Sequence, residues 1–149
     1  MAKEVRFNAD RASEVLTAIG VDFATISFLD VMPEIARVIN QSTRDNFNSS
    51  ADPDGGSWPP RKHIGDGHPL LMDTGKLLQA ATGGGSGHIE RMEPNGIVVG
   101  VDGATVPYAG IHNDGMGGRM PQREYLGLDE EGQNVTEDIL IDFLMSEVF

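Results

Sequence analysis

Apolar residues recur every three or four positions in several segments of the chain, which is the spacing of one helix face. The longest such stripe predicts a helix from about Pro33 to Asn48, since proline is tolerated in a first helical turn. A second stripe predicts a C-terminal helix that starts after Asp129, whose side chain can cap the first turn. Shorter stripes at 9–20 and 70–81 predict two further helices.

Strand patterns are concentrated in one hairpin. His88 to Met92 alternates apolar and polar residues, and Ile97 to Val101 is β-branched and mostly apolar, so the second strand is expected to be more buried. Pro94-Asn95-Gly96 between them is typical of a turn. Residues 5–8 and 125–128 are expected to be short extended segments. The pattern predicts an α+β fold, with an antiparallel or mixed sheet built around the hairpin and the two long helices packed on it.

A length of 149 residues suits a single domain. Residues 1–48 are expected to be mostly helical, 49–69 a long loop, and 70–149 a helix, hairpin, turn, strand and C-terminal helix. The loop 49–69 and the turn 114–120 are expected to project toward partners. Trp58, the only tryptophan, lies inside the loop. It either pins the loop to the body of the domain or serves as an anchor for a protein partner.

Charge and composition restrict the function. The formal net charge of −12 opposes stable binding to nucleic acid phosphates. There is no cysteine, so disulfides, cysteine zinc sites and thiol nucleophiles are excluded. The first residues do not have the pattern of a signal peptide, and no window is apolar enough to predict a membrane span. We expect a soluble protein without a cofactor.

Catalytic motifs are weak or missing. The histidines His63 and His68, with Asp66 between them, lie in the loop and lack the helical spacing of a metalloprotease site. His112-Asn113-Asp114 offers an imidazole, an amide and a carboxylate, but neighbouring side chains seldom aim at one point. Catalysis there would require a second group from elsewhere, and the sequence nominates none. A small metal-dependent hydrolase that uses His63, His68 or His112 stays open as an alternative, as does a monomeric binding module that uses the Trp58 loop.

A set of short motifs in a fixed order is more informative than any single residue. In chain order they are Trp58-Pro59-Pro60, Leu71-Met72-Asp73-Thr74-Gly75-Lys76-Leu77, the strand 97–101, Pro107-Tyr108-Ala109-x-Ile111-His112-Asn113-x-Gly115, and Pro121-x-Arg123-x-x-Leu126-Gly127-Leu128. This order resembles the phage virion morphogenesis family, the tail completion proteins of Mu-like and P2-like tailed phages. The resemblance covers about two-thirds of the chain, from Phe47 to Phe149.

The resemblance implies a structural protein of the virion, not an enzyme. Similar proteins act at the neck end of the tail as rings, commonly hexamers, beside connector, tube or sheath proteins, and DNA passes through the ring without specific binding. Assembly is expected in the host cytoplasm. The motif positions are then structural or interface residues: Trp58, Thr74, Gly75, Leu77, Tyr108, Ala109, His112, Asn113, Gly115, Pro121, Arg123, Leu126 and Gly127.

Individual roles can be predicted for some of these residues. Tyr108 and Ile111 are expected to pack a turn onto the sheet, and His112 and Asn113 to bond the backbone of the glycine turn that follows. Thr74-Gly75 is expected to start a helix. Arg123 is expected to form a bidentate salt bridge with an acidic residue of this or a neighbouring subunit.

Overall fold

The computed structural model describes residues 2–5, 18, 26–61, 70–72, 74–94, 96–117 and 119–148. Apart from Ala18, the helix expected at 9–20 lies outside these residues, as does the loop segment that contains His63 and His68. Asp73, within the helix expected at 70–81, and Asn95 of the hairpin turn also lie outside them.

The described strands form one antiparallel sheet in the order β1-β3-β2. They are β1 (Ala2–Val5), β2 (His88–Glu93) and β3 (Gly96–Val101). The predicted hairpin is confirmed, with His88 opposite Val101 and Glu93 opposite Gly96. The central strand β3 is buried along its whole length, as its run of β-branched residues predicted. β1 pairs with the other edge of β3 and shares Val5 with the strand expected at 5–8, of which residues 6–8 lie outside the described residues.

The predicted long helix is α1 (Met32–Ser49), which follows a single 3-10 turn at Leu29–Val31. Pro33 lies in its first turn, where its missing N–H costs no helical hydrogen bond. Ser50 ends the helix in the left-handed conformation, and its N–H donates to the carbonyls of Asn46 and Phe47.

The helix expected at 70–81 is shorter than predicted. α2 (Lys76–Thr82) begins only after Gly75, whose φ of +79° is left-handed. Leu71 also has a positive φ of +62°, which an α-helix excludes, so the apolar run Leu70–Met72 is not helical. The Thr74 hydroxyl accepts a hydrogen bond from the Lys76 N–H at 3.3 Å, one position outside the helix.

The stretch after β3 differs from the predicted turn and strand. Residues around His112 form a short helix, α3 (Ala109–Asp114). Residues 121–129 form neither helix nor strand, and the chain bends at Leu126 and Gly127. The chain then enters α4 (Glu130–Val148). Asp129 caps this helix as predicted, because its Oδ1 accepts from the Gly132 N–H at 2.7 Å.

Two apolar clusters make up the described core, and α1 contributes to both. Its first half joins β3 and α4 in the first cluster, through side chains such as Ile35, Ile97 and Leu140. Its last turn supplies Phe47 to the second cluster. That cluster consists of Phe47, Trp58, Leu77, Ala80, Ala81, Val101, Val106, Ala109, Tyr125 and Leu126.

Candidate functional site

The motif residues that are far apart in sequence meet at the second cluster. Trp58 is buried and packs edge-on against Phe47, with ring centroids 5.7 Å apart. Its Nε1 donates to the Glu124 carbonyl at 2.8 Å, and its backbone N–H donates to Ser50. Of the two roles predicted for Trp58, the structure therefore supports the pin. The described half of the loop, 50–61, is fixed to the body of the domain.

The peptide groups at Tyr125 are held by two asparagine side chains. Asn113 Oδ1 accepts from the Tyr125 N–H at 3.1 Å and from the Leu126 N–H at 3.2 Å. On the other side, Asn46 Nδ2 donates to the Tyr125 carbonyl at 3.0 Å. All four residues are buried. The two asparagine side chains therefore supply the backbone of residues 125–126 with the hydrogen-bond partners that a neighbouring strand would otherwise supply. We call this arrangement the asparagine clamp.

The phenol of Tyr125 ties the clamp to α3. Its hydroxyl donates to the Ala109 carbonyl at 2.8 Å, and its ring packs against Phe47 at 5.2 Å. Burial, with a further contribution from the Asp114 carboxylate, raises the pKa of Tyr125 above its ordinary value. The phenol therefore stays protonated and remains a hydrogen-bond donor.

Among the described residues, Arg123 bonds to backbone groups and not to the acidic side chain that was predicted. Its guanidinium is buried and donates from Nε to the Pro59 carbonyl at 2.9 Å and from NH2 to the Pro60 carbonyl at 3.1 Å. Two backbone oxygens thus take the place of the expected carboxylate. Burial and the nearby charge of Arg61 lower the pKa of Arg123 from its ordinary value. The bidentate contact joins the 121–128 segment to the tryptophan loop.

His112 is half-buried on α3, beside the same guanidinium. Its ring meets Tyr108 edge-on at 5.9 Å, and its carbonyl accepts from the Arg123 N–H. Burial and the charge of Arg123 lower the pKa of His112 from its ordinary value, so the imidazole is neutral near pH 7. Its Nδ1 is buried and has no hydrogen-bond partner among the described residues. The backbone bonds expected from its side chain are therefore not made there.

The contacts predicted for the neighbours of His112 also need correction. Tyr108 is 38% exposed with its ring against His112, and Ala109 is the residue that enters the second cluster. Asn113 bonds backbone, as expected, but the amides belong to the segment twelve and thirteen residues later, not to the glycine turn. Gly115 ends α3 with φ +77°, and a Cβ there would lie 3.0 Å from the Gln122 nitrogen. Only glycine fits without strain.

The remaining motif positions are structural in their placement. Leu77 and Leu126 are buried in the second cluster, Gly127 is buried beside it, and Pro121 is partly buried. Thr74 is exposed and Gly75 partly so at the start of α2.

Two contacts of this site were missed at the level of sequence. Asn46 carries a signal in hindsight, because it occupies a position of the apolar face of α1, seven residues after Ile39. A polar residue at a core position indicates a buried hydrogen bond. The other is the Ser42 hydroxyl, which accepts from the Asp129 N–H at 2.7 Å.

The described residues offer little for catalysis. Among them, no group of three or more His, Cys, Asp or Glu side chains is close enough together to hold a metal ion. Of the histidines considered for a hydrolase, His63 and His68 lie outside the described residues, and His112 faces a guanidinium. Within that same part of the chain, no helix combines the length and apolar character that crossing a bilayer requires.

The fold and the site define an α+β domain in which the side chains of Trp58, Asn113 and Arg123 bind the chain's own backbone. The model of the phage virion morphogenesis family matches residues 8–145. The chain therefore belongs to the phage virion morphogenesis family, and this membership indicates a structural or assembly role in the virion. No curated protein and no solved structure gives a significant match to the chain.

Proposed function

We propose that this chain is a tail completion protein at the neck of a tailed phage. In this role it forms a ring, a hexamer, at the head-proximal end of the tail and helps to join the tail to the head. The observation that carries the proposal is the family match over residues 8–145, nearly the whole chain.

The use of the motif residues supports an assembly role over an enzymatic one. The side chains of Trp58, Asn113 and Arg123 all bind backbone groups of the same chain. They rigidify loops that would otherwise be mobile, and a subunit that must fit a ring requires such fixed surfaces. The neighbours of that ring would be connector proteins on one side and tube or sheath proteins on the other.

The charge of the chain fits a passage for DNA. A net charge of −12 in each copy repels phosphates, so a ring lined with acids lets the genome slide without binding it. We propose that part of this charge faces the lumen, and the candidates all lie on α4: Glu130, Glu131, Glu137, Asp138 and Asp142. A structure of the ring in which all these side chains point outward would contradict this orientation.

The proposal is tested by removing the protein from an otherwise complete phage. Host cells infected with a phage that carries a nonsense mutation in this gene are expected to accumulate DNA-filled heads and separate tails in electron micrographs. Addition of the purified protein to that lysate is expected to restore joined, infectious particles, whereas a heat-unfolded sample is not. Normal infectious virions that lack the protein would overturn the proposal.

A further inference from the structure

A groove of about 470 Å³ runs along the surface between α1 and the start of α4. Val38 and Val135 line it, and Val135 is 40% exposed although it is an aliphatic side chain on a packed helix. Ser42, whose hydroxyl holds the Asp129 N–H, is the buried residue at which the two helices are joined. The groove is thus a fixed feature between two helices.

The polar lining of the groove is strongly negative. Four carboxylates border it, those of Glu34, Asp45, Asp129 and Glu131, against the single guanidinium of Arg37. Asp45 accepts from Gln41, and Asp129 caps α4. The carboxylates of Glu34 and Glu131 make no hydrogen bond or ion pair with any other described residue. A segment that carries both a cationic and an apolar side chain would match this lining, the cation at the carboxylates and the apolar group at the two valines.

The chain itself presents such a group on a different surface. After α3 the chain turns back at an antiparallel bridge between Met116 and Met120, and we call the described residues there, 115–117 and 119–120, the 115–120 tip. Met116 is 41% exposed, and Arg119 is exposed as well. Among the residues that the structure describes, none bonds to the Arg119 side chain.

We propose that the 115–120 tip of one copy docks into the α1/α4 groove of the next copy. Arg119 pairs with Glu131 and Glu34, and Met116, whose flexible thioether adapts to irregular apolar surfaces, covers Val38 and Val135. Because tip and groove are different surfaces, the contact is head-to-tail and can close into a ring when repeated. This inference rests on the proposed ring and names its subunit contact. It also removes Glu131 from the acids available to line the channel.

The absence of cysteine makes a crosslinking test clean. A phage is made in which this gene carries Arg119→Cys and Glu131→Cys together, and its purified virions are treated with a short bismaleimide. Such a reagent is needed because an arginine–glutamate pair holds its Cα atoms farther apart than a disulfide allows. Each substitution alone, and Arg119→Cys with Arg91→Cys on the exposed face of β2, are the controls.

The expected result is a ladder of covalent oligomers larger than dimers in the paired variant and monomers in every control. A ladder that stops at the dimer overturns the head-to-tail contact. Rings visible in the particles without any crosslink overturn the docking but leave the proposed function intact. Virions that contain no copy of the chain overturn the proposed function and the docking with it.

Charge reversal gives an independent measurement. Arg119→Glu alone and Glu131→Arg alone are each expected to lower the yield of infectious particles about tenfold or more, since like charges then face each other. The double reversal restores the pair and is expected to recover most of the yield. Circular dichroism should show native folding for all three, because both side chains are exposed. Folded single variants with normal yield would refute the contact.

Discussion

The asparagine clamp can be tested by removing its acceptor with Asn113→Ala. Asn113 is 4% exposed and the two amides that it serves are fully buried, so neither amide can turn to solvent in the variant. A buried donor left without an acceptor costs about 1–3 kcal/mol, and two of them cost about 2–6 kcal/mol. That loss is a large fraction of the stability of an ordinary domain, which is about 5–15 kcal/mol.

The assay is urea unfolding followed by the fluorescence of Trp58, the only tryptophan, with far-UV circular dichroism as an independent probe. Asp114→Ala is the matched control, because it removes only the exposed carboxylate that accepts from Asn113 Nδ2 at 3.1 Å. That control leaves one side-chain donor of Asn113 without its acceptor and keeps both amides bonded, so we expect it to cost about 1 kcal/mol and clearly less than Asn113→Ala.

A rescue variant separates loss of the acceptor from loss of volume. Asn113→Asp combined with Asp114→Asn exchanges the amide and the carboxylate, so that an oxygen still faces both amides and one hydrogen bond still joins the two side chains. We expect this double variant to be clearly more stable than Asn113→Ala. Equal stability of the two, or a loss below about 1 kcal/mol for Asn113→Ala, would refute the clamp.

Three further predictions concern neighbouring residues. Gly115→Ala is expected to destabilise the fold by about 1–3 kcal/mol, because Gly115 has a positive φ. Gly117→Ala is its control, since no atom lies within 4 Å of the added Cβ, and it should change stability by less than about 0.5 kcal/mol in the same urea assay. His112 has a folded-state pKa below its ordinary value of 6.5. Its contribution to stability is therefore complete above pH 6.5 and is lost as the pH falls toward the folded-state pKa. In urea titrations at several pH values, the free energy of unfolding of His112→Gln should decline less steeply on the acid side than that of the unchanged chain. Trp58→Phe keeps an aromatic ring but removes the indole N–H that donates to the Glu124 carbonyl, and we expect a loss of about 1–2 kcal/mol by thermal unfolding. An unchanged midpoint would contradict the role of the indole N–H.

The elements predicted correctly from sequence are those whose signal is local. The apolar stripe of α1, the turn chemistry of the hairpin and the Asp129 cap each depend on residues within a few positions of one another. The start of α2 directly after Thr74-Gly75 was also predicted, but the helix expected at 70–81 was too long, because the apolar run before Gly75 satisfies a helical pattern and the positive φ at Leu71 carries no residue signature.

The site was harder to predict because its partners are backbone groups. A backbone carbonyl of Pro59 or a backbone amide of Leu126 is present whatever the residue type, so a sequence motif cannot identify it as a partner. Arg123 was therefore assigned a carboxylate partner, and the apolar run at 125–128 was assigned to an extended segment. The order of the motifs correctly indicated the family, since that information does not depend on knowing which atoms meet.

The long-range hydrogen bonds that hold residues 124–129 have a consequence for the order of folding. Trp58 to Glu124, Asn46 to Tyr125 and Ser42 to Asp129 join residues 66, 79 and 87 positions apart. Contacts across such separations require costly loop closure and form late, after the local helices and the hairpin. We expect the slowest phase of refolding, read by tryptophan fluorescence, to be the docking of residues 121–129. Until that step is complete, the 115–120 tip and the α1/α4 groove have no fixed relative position. A partly folded copy is therefore expected to join the proposed ring poorly.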